Sequence, residues 1–383
     1  MSLQFTTEQN MLRDSIAKIT GNIATRDYLA KMDREGRYPY EVYDALVNAG
    51  AFAMPFSEAY GGLGGSIVDT ALIVDALSYV NYDLAVAYLV VLYTATTLSK
   101  CAREEQKRHY LPKIFDGSIR MSVSISEPQA GSDVSAIRTS ARRDGDSWVL
   151  NGQKVWATAA GARNGVIQLF ARTDTSMGPR GGLTVFLVPN DTPGVECRKL
   201  DMLGRRGTGT YEIFLTDARV PADAVLGEPN QGWDILMACL QTERLSTAAG
   251  YVGSTRKVFD LALGYALERK QFGRPIGEFQ AIAHMLADMQ TEQEAGSLLM
   301  WNAVEKMARG EDALREVTMA KLYCSEAYAR AANAGMQIMG AAGYSMEYEM
   351  QQHFRDARST TIGAGSSQMQ RNLLASLMGL KVK

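Results

Sequence analysis

The chain has 383 residues, 46% hydrophobic and 21% charged, an ordinary composition for a soluble protein and enough length for two or three domains. Its 40 Lys and Arg against 42 Asp and Glu leave a formal charge of −2, so there is no basic excess to neutralise phosphates and nucleic acid is not an expected partner. His109, His284 and His353 stand far apart, as do Cys101, Cys197, Cys239 and Cys324. This spacing argues against a metal site, leaves acid–base work to carboxylates, and predicts free thiols in a reducing compartment.

Met1 to Asp14 is polar and lacks the apolar run of a signal peptide, and the chain ends Lys-Val-Lys rather than in a peroxisomal tail; a cytoplasmic protein is expected. From Thr6 to Gly117 the hydrophobic period is helical. Thr7 is expected to cap a first helix through Met11 and Ile16, and Pro39 to open another that ends near Gly50. Tyr60 to Gly65 reads as a loop, with Ser66–Tyr79 and Leu84–Cys101 as helices. The uncharged run Leu84–Ser99 is too short for a comfortable membrane span and reads as a buried helix.

From Ile119 to Pro229 the period switches to two. Met121, Val123 and Ile125 alternate with serines, and Trp148 and Leu150 precede Asn151-Gly152, the strongest short hairpin signal. Val166–Ala171, Leu183–Val188 and Tyr211–Leu215 read as further strands. From Gly232 the pattern is helical again, with long helices over Trp233–Lys270, Phe279–Met307 and Leu314–Met339 and a last one over Ser367–Leu377.

The reading is therefore an α+β multidomain protein: an N-terminal helical domain (1–118), a middle β-barrel or sandwich (119–231), and a C-terminal four-helix bundle (232–383). Strands do not alternate with helices, Gly204-Arg-Arg-Gly207-Thr-Gly209 is not a G-x-G-x-x-G fingerprint, and no P-loop occurs; a doubly wound nucleotide fold is disfavoured.

Five segments carry a resemblance. They are Ser126-Glu-Pro-Gln-Ala-Gly-Ser-Asp133, Asn151-Gly-Gln-Lys-Val-Trp-Ala-Thr158, Glu268-Arg-Lys-Gln-Phe-Gly-Arg-Pro-Ile276 with Gln280, Gln337-Ile-Met-Gly340, and Arg355-Asp-Ala-Arg358 with Gly365-Ser-Ser-Gln368. In this order and spacing, over essentially the whole chain, the set resembles the acyl-CoA dehydrogenase family. The resemblance implies an N-terminal helical, middle β and C-terminal bundle fold, bound FAD, an acyl-CoA substrate, electron transfer flavoprotein as electron acceptor, and a homotetramer. It assigns Ile125 and Ser126 to the flavin ring and Ser132 to the pyrophosphate. Trp156 would lie against the isoalloxazine and the Thr158 hydroxyl would bond flavin N5. Arg269, Phe272, Gln280, Gln337 and Ala341 would hold the FAD of a neighbouring subunit, and Ser366 and Gln368 would lie on the adenosine side.

Dehydrogenating a thioester needs a base for the α-proton, donors for the enolate-like oxygen and a hydride acceptor; FAD is the acceptor. Most of the family place a Glu directly before the glycine of the late loop, and here that position is Ala364. A minority that includes isovaleryl-CoA dehydrogenases keeps the base on a helix before an Arg, and the matching pair is Glu243-Arg244. Leu236, Leu240 and Glu243 share one helical stripe, where a carboxylate is costly to bury without a role. The Ala364 N–H remains as the expected donor to the thioester carbonyl. Arg244, Tyr93 and Gly365 are the expected substrate contacts, with Arg244 meeting substrate or ordering the Ala364 loop. Tyr88, Leu89, Val91, Leu92, Tyr93 and Thr96 suggest an uncharged acyl group, branched, cyclic or of medium to long chain.

Four other functions are open to this fold: a dehydrogenase of carrier-bound acyl or aminoacyl groups, an enoyl-CoA reductase, a desulfinase-type lyase or flavin monooxygenase, and a non-enzymatic scaffold. Glu243 argues against the lyase, and the intact flavin motifs argue against the scaffold.

Overall fold

The computed structural model describes residues 5–381; the first four residues of the polar N-terminal stretch and the last two of the Lys-Val-Lys tail lie outside it. Six helices come first: α1 (Thr7–Ile23), α2 (Arg26–Glu35), α3 (Tyr40–Asn48), α4 (Ile67–Val80), α5 (Tyr82–Cys101) and α6 (Glu104–Phe115). Thr6, not Thr7, caps α1. Its hydroxyl accepts from the Gln9 N–H at 3.2 Å and the Gln9 side chain returns to the Thr6 N–H at 3.0 Å, a capping box set one residue earlier than expected. Ser66 and Asp69 build the same box at the start of α4. Helix α5 is long and apolar enough to cross a membrane, yet it is buried along nearly its whole length, which explains why it is apolar all round.

The middle region is one seven-stranded sheet: β1 (Arg120–Ser124), β2 (Ser140–Asp144), β3 (Ser147–Thr158), β4 (Gly165–Arg172), β5 (Leu183–Pro189), β6 (Val195–Leu200) and β7 (Thr210–Pro221). The order is β1-β4-β2-β3-β7-β6, with β5 on the other edge of β4. Ala141, Leu150, Ile167, Phe186 and Ile213, from five strands, meet in one core, so the sheet curls round itself. Strand β4 is buried on both faces: Ile167 and Leu169 join that core, while Val166 and Phe170 join the core of the helices. Gln168 ties β4 to α5 by donating to the Thr94 carbonyl at 2.8 Å.

Asn151-Gly152 is not a hairpin turn. Strand β3 runs straight through it with a register shift against β7 between Leu150 and Gly152. The Asn151 amide exchanges hydrogen bonds with Asp217 at 2.9 Å, and a Cβ on Gly152 would come within 2.7 Å of the Thr139 hydroxyl. The glycine serves a bulge and a close approach rather than a turn. The turn into β3 falls instead between the paired Asp144 and Ser147, with Gly145 at φ +60°.

The C-terminal region begins with α7 (Gly232–Glu268), followed by the short ribbon β8 (Lys270–Gln271) and β9 (Arg274–Pro275). Then come α8 (Gln280–Ala308), α9 (Leu314–Met339), the single turn α10 (Ala341–Tyr344), α11 (Met350–Thr360) and α12 (Ser367–Leu377). Helices α7, α8 and α9 pack on one another with α12 against α9. Helix α7 also packs on α4 and α5, where a Cβ at Gly253 would collide with the Asp75 carbonyl; the small residue lets the two helices cross closely. Helix α11 is not visible in the hydrophobic period because much of its buried face is polar: Gln351, Gln352, His353 and Asp356.

Candidate active site

A narrow cavity lies between α5, α7 and the 359–364 turn. The α5 residues that line it are Tyr82, Val86, Leu89, Val90 and Tyr93, a helical stripe; α7 contributes Glu243, Thr247 and Tyr251. Thr158 closes it from the end of β3, Ala364 from the late loop and Arg205 from the β6–β7 connection. Of the α5 residues expected here, Leu89 and Tyr93 are on this face. Tyr88 points the other way, donating to the Ala51 carbonyl at 3.0 Å and packing on Phe52, and the Thr96 hydroxyl turns back to the Leu92 carbonyl. Val91 and Leu92 also lie off the lining. The uncharged run is buried all round, so its period alone could not select the face.

Among the described residues, the Glu243 carboxylate has no hydrogen-bond or ion-pair partner. Burial pushes its carboxyl above the ordinary glutamate range, against the pull of the Arg244, Lys321 and Arg205 charges. An unpaired, desolvated carboxylate in a cavity is chemically suited to proton transfer.

The late loop is held in a strained shape. Ala364 has φ +55°, a left-handed conformation that a residue with a Cβ adopts only under constraint. The constraint comes from donors gripping the two carbonyls. Gln370 donates to Ala364 at 3.2 Å and to Gly365 at 3.0 Å, Lys321 to Gly365 at 2.7 Å and to Thr360 at 3.2 Å, and Arg244 to Ala364 at 3.4 Å. The Ala364 N–H has no acceptor among the described residues and is free for a ligand oxygen. Lys321 is fully buried, and burial lowers its ammonium to about 8 while Glu243 supports the charge. Sequence reasoning missed Lys321, although it carries the signal that singled out Glu243: it follows Val317 by four positions and precedes Cys324 by three on an apolar stripe of α9.

Ser126, Trp156 and Thr158 come together at the end of β3, where the Val155 N–H donates to the Ser126 carbonyl at 3.0 Å. Trp156 has φ +65° beside a register shift, and its side chain stands 58% exposed rather than packing in the sheet. The Ser126, Ser132 and Thr158 hydroxyls have no partner among the described residues. An exposed aromatic platform with Thr158 two residues on and Ser126 bonded through its carbonyl to the Val155 N–H fits an isoalloxazine. The platform is anchored from behind. Lys154 and Glu127, both buried, pair at 2.9 Å; Lys154 also donates to the Ile125 carbonyl at 2.9 Å, and Glu127 accepts from the Arg138 and Thr139 N–H groups at 2.7 and 2.8 Å. Burial alone would raise Glu127, but Lys154 and the N–H donors pull it down to about 2; burial lowers Lys154 to about 8 in spite of Glu127.

The remaining motif residues lie elsewhere. Arg269, at the end of α7, Phe272 in the β8–β9 turn, Gln280, Gln337 and Ala341 are all exposed and none lines the cavity. Ser366 caps α12 by accepting from the Met369 N–H at 3.3 Å, and Gln368 is exposed in that helix's first turn.

The comparisons with known proteins agree with one another. Residues 6–118, 122–218 and 230–379 match the N-terminal, middle and C-terminal domains of acyl-CoA dehydrogenase. The chain is 35% identical over 377 residues to the probable acyl-CoA dehydrogenase YngJ of Bacillus subtilis, covering 98% of this chain and 99% of that one. It is 33% identical to CarC, a subunit of the caffeyl-CoA reductase–Etf complex of Acetobacterium woodii, over 98% of this chain and 99% of CarC. The solved butyryl-CoA dehydrogenase of Megasphaera elsdenii superposes with a TM-score of 0.93 at 30% identity, over 99% of this chain and 100% of that one.

Proposed function

This chain belongs to the acyl-CoA dehydrogenase family and is an FAD-dependent oxidoreductase, and we propose that it converts a saturated acyl-CoA to the 2,3-enoyl-CoA with Glu243 as the base. One observation carries this reading. The unpartnered Glu243 carboxylate, the free Ala364 N–H and Thr158 line one cavity. A thioester carbonyl bonded to the Ala364 N–H has its α-carbon acidified, and the Glu243 carboxylate takes the α-proton. Arg244, Gln370 and Lys321 do not touch the reacting atoms; they hold the carbonyls of the loop so that the N–H stays turned to the substrate. FAD, bound with Trp156 and Thr158, supplies the two-electron acceptor for the β-hydride. A substrate that fills the cavity excludes water and raises the Glu243 pKa further.

The Phe272 side chain is 93% exposed and Tyr344 81%, aromatic surface that a monomer rarely leaves bare. We assign this face to a homotetramer in which Arg269, Phe272, Gln280, Gln337 and Ala341 complete a neighbouring subunit's FAD site. Electron transfer flavoprotein is the proposed acceptor, in keeping with a relative named as a subunit of an Etf complex. That relative is a reductase, which makes enoyl-CoA reduction the second reading.

Anaerobic titration of the yellow holoenzyme with saturated acyl-CoAs is expected to bleach the flavin band. A holoenzyme that no saturated thioester bleaches, but whose reduced form an enoyl-CoA reoxidises, would reverse the direction. The base must be ionised to act, so kcat/KM is expected to fall as pH falls, with an acid limb centred above the ordinary glutamate range. A pH profile flat through that range would remove Glu243 from the proton step.

A further inference from the structure

The cavity holds a cation that the chemistry at Glu243 does not use. Arg205 sits in the connection between β6 and β7 with φ +53°, a left-handed conformation unusual for a long side chain. The surrounding hydrogen bonds fix it there. The Arg205 N–H donates to Asp356 at 2.6 Å, the Gly207 N–H to Asp83 at 2.7 Å, and the Thr208 hydroxyl to the Asp83 carbonyl at 2.8 Å. Asp83 adjoins Tyr82, so the loop is riveted to the end of α5 remote from Tyr93.

That end is the far end of the cavity. The Tyr82 and Tyr251 rings lie 5.8 Å apart, closing α5 against α7. Tyr251 is eight residues beyond Glu243 on α7, about 12 Å along the helix. A thioester held at Ala364 and Glu243 with its acyl tail laid along the α5 stripe would reach Tyr82, Tyr251 and Arg205. The walls between are apolar, namely Val86, Leu89 and Val90.

The guanidinium has no acceptor among the described residues: no carboxylate pairs with it and no carbonyl accepts from it. It is close enough for its charge to oppose the rise that burial imposes on the Tyr93 and Glu243 groups. The neighbouring Arg206, by contrast, pairs with Asp201 at 3.8 Å, and Arg355 is clamped by Asp33 at 2.6 and 3.1 Å. The half-buried Arg205 lines this cavity and also an open groove with Lys199, Asp201 and Arg206, and its donors are free for an acidic group on a ligand. A planar five-donor fork suits a carboxylate above other acceptors.

We propose that Arg205 is a specificity-determining residue that binds the distal carboxylate of an ω-carboxyacyl thioester, the CoA monothioester of a dicarboxylic acid. This rests on the dehydrogenase reading for the placement of the thioester. It replaces the uncharged acyl group that α5 alone suggested. The apolar middle of the cavity takes the methylenes, and the tyrosines with Arg205 take the charged end.

The test is calorimetric titration of the holoenzyme with ω-carboxyacyl-CoAs and with unsubstituted acyl-CoAs of the same chain lengths, followed anaerobically by the visible spectrum. At the best-fitting length the ω-carboxyl compound is expected to bind roughly 10- to 100-fold more tightly. Arg205→Met is expected to remove that preference and improve binding of the unsubstituted partner, while Arg205→Lys keeps part of it. A merely structural loss would weaken both ligands together and leave their ratio unchanged. Equal binding of the two classes by the wild type at every length, or a ratio unchanged in Arg205→Met, would overturn the proposal. Bleaching is a separate readout: binding preference without bleaching by either class keeps Arg205 and sinks the dehydrogenase reading, and bleaching without preference does the reverse.

Discussion

Glu243→Gln is expected to retain FAD and acyl-CoA binding while losing about 10²–10⁴-fold in kcat, the usual contribution of a positioned general base, or roughly 3–5 kcal/mol of transition-state stabilisation. Gln keeps the volume and the neighbours of Glu243 and removes only its ability to take a proton. The oxyanion donor is untouched, because the loop that presents the Ala364 N–H is held through its Ala364 and Gly365 carbonyls by Gln370, Lys321 and Arg244 and not by Glu243. Stability supplies a control with a defined sign. The folded-state pKa of Glu243 is raised, so the fold prefers the protonated form and the ionised carboxylate costs stability above the unfolded-state pKa. At neutral pH the variant should therefore melt no lower than the wild type. Lost turnover with an unchanged or higher Tm and normal FAD content is the expected pattern; near wild-type turnover, or a collapse of Tm, contradicts the assignment.

Lys154→Met is expected to cost about 3–5 kcal/mol and to release FAD. The ammonium is wholly buried and is the one cation paired with Glu127 among the described residues. Without it, a buried carboxylate loses its counter-charge and keeps only N–H donors to offset the burial that disfavours its ionised form. The Ile125 carbonyl loses its donor in the same step, and Ile125 leads directly into Ser126 at the flavin platform. Two readouts should move together: Tm, and the ratio of flavin absorbance to protein. Adding Glu127→Gln to Lys154→Met removes the stranded charge and should recover a good part of the stability. If the single variant keeps both its Tm and its flavin, the pair is not the anchor described.

Much of this was legible in the sequence, for identifiable reasons. The change of period from 3.6 to two and back marks the helical, β and helical regions, and each long helix appears within two residues of its expected end. The place of Glu243 on the cavity was legible because a carboxylate interrupts an apolar stripe of α7. Other features are tertiary. Asn151-Gly152 carries the composition of a turn, but Asp217 in β7 and Thr139 just before β2 convert it into a bulge. Tyr88 and Tyr93 look equivalent in an uncharged run; only packing against Ala51 and Phe52 turns one away from the cavity and leaves the other on it. Arg205 read as part of a glycine-rich piece that fails a nucleotide motif. Its place on the cavity lining depends on Asp83 and Asp356, which lie over a hundred residues away on either side.

The central claim is that Glu243 removes the α-proton, and the most direct measurement separates that step from hydride transfer. Holoenzyme in D₂O is incubated with an acyl-CoA whose β-carbon bears no hydrogen, so that enolisation can proceed and oxidation cannot, and deuterium at the α-carbon is followed by NMR or mass spectrometry. Wild-type protein should exchange the α-hydrogen, and Glu243→Gln should slow the exchange by the same factor as turnover while binding the thioester equally well. Exchange at the wild-type rate in Glu243→Gln would place the base elsewhere.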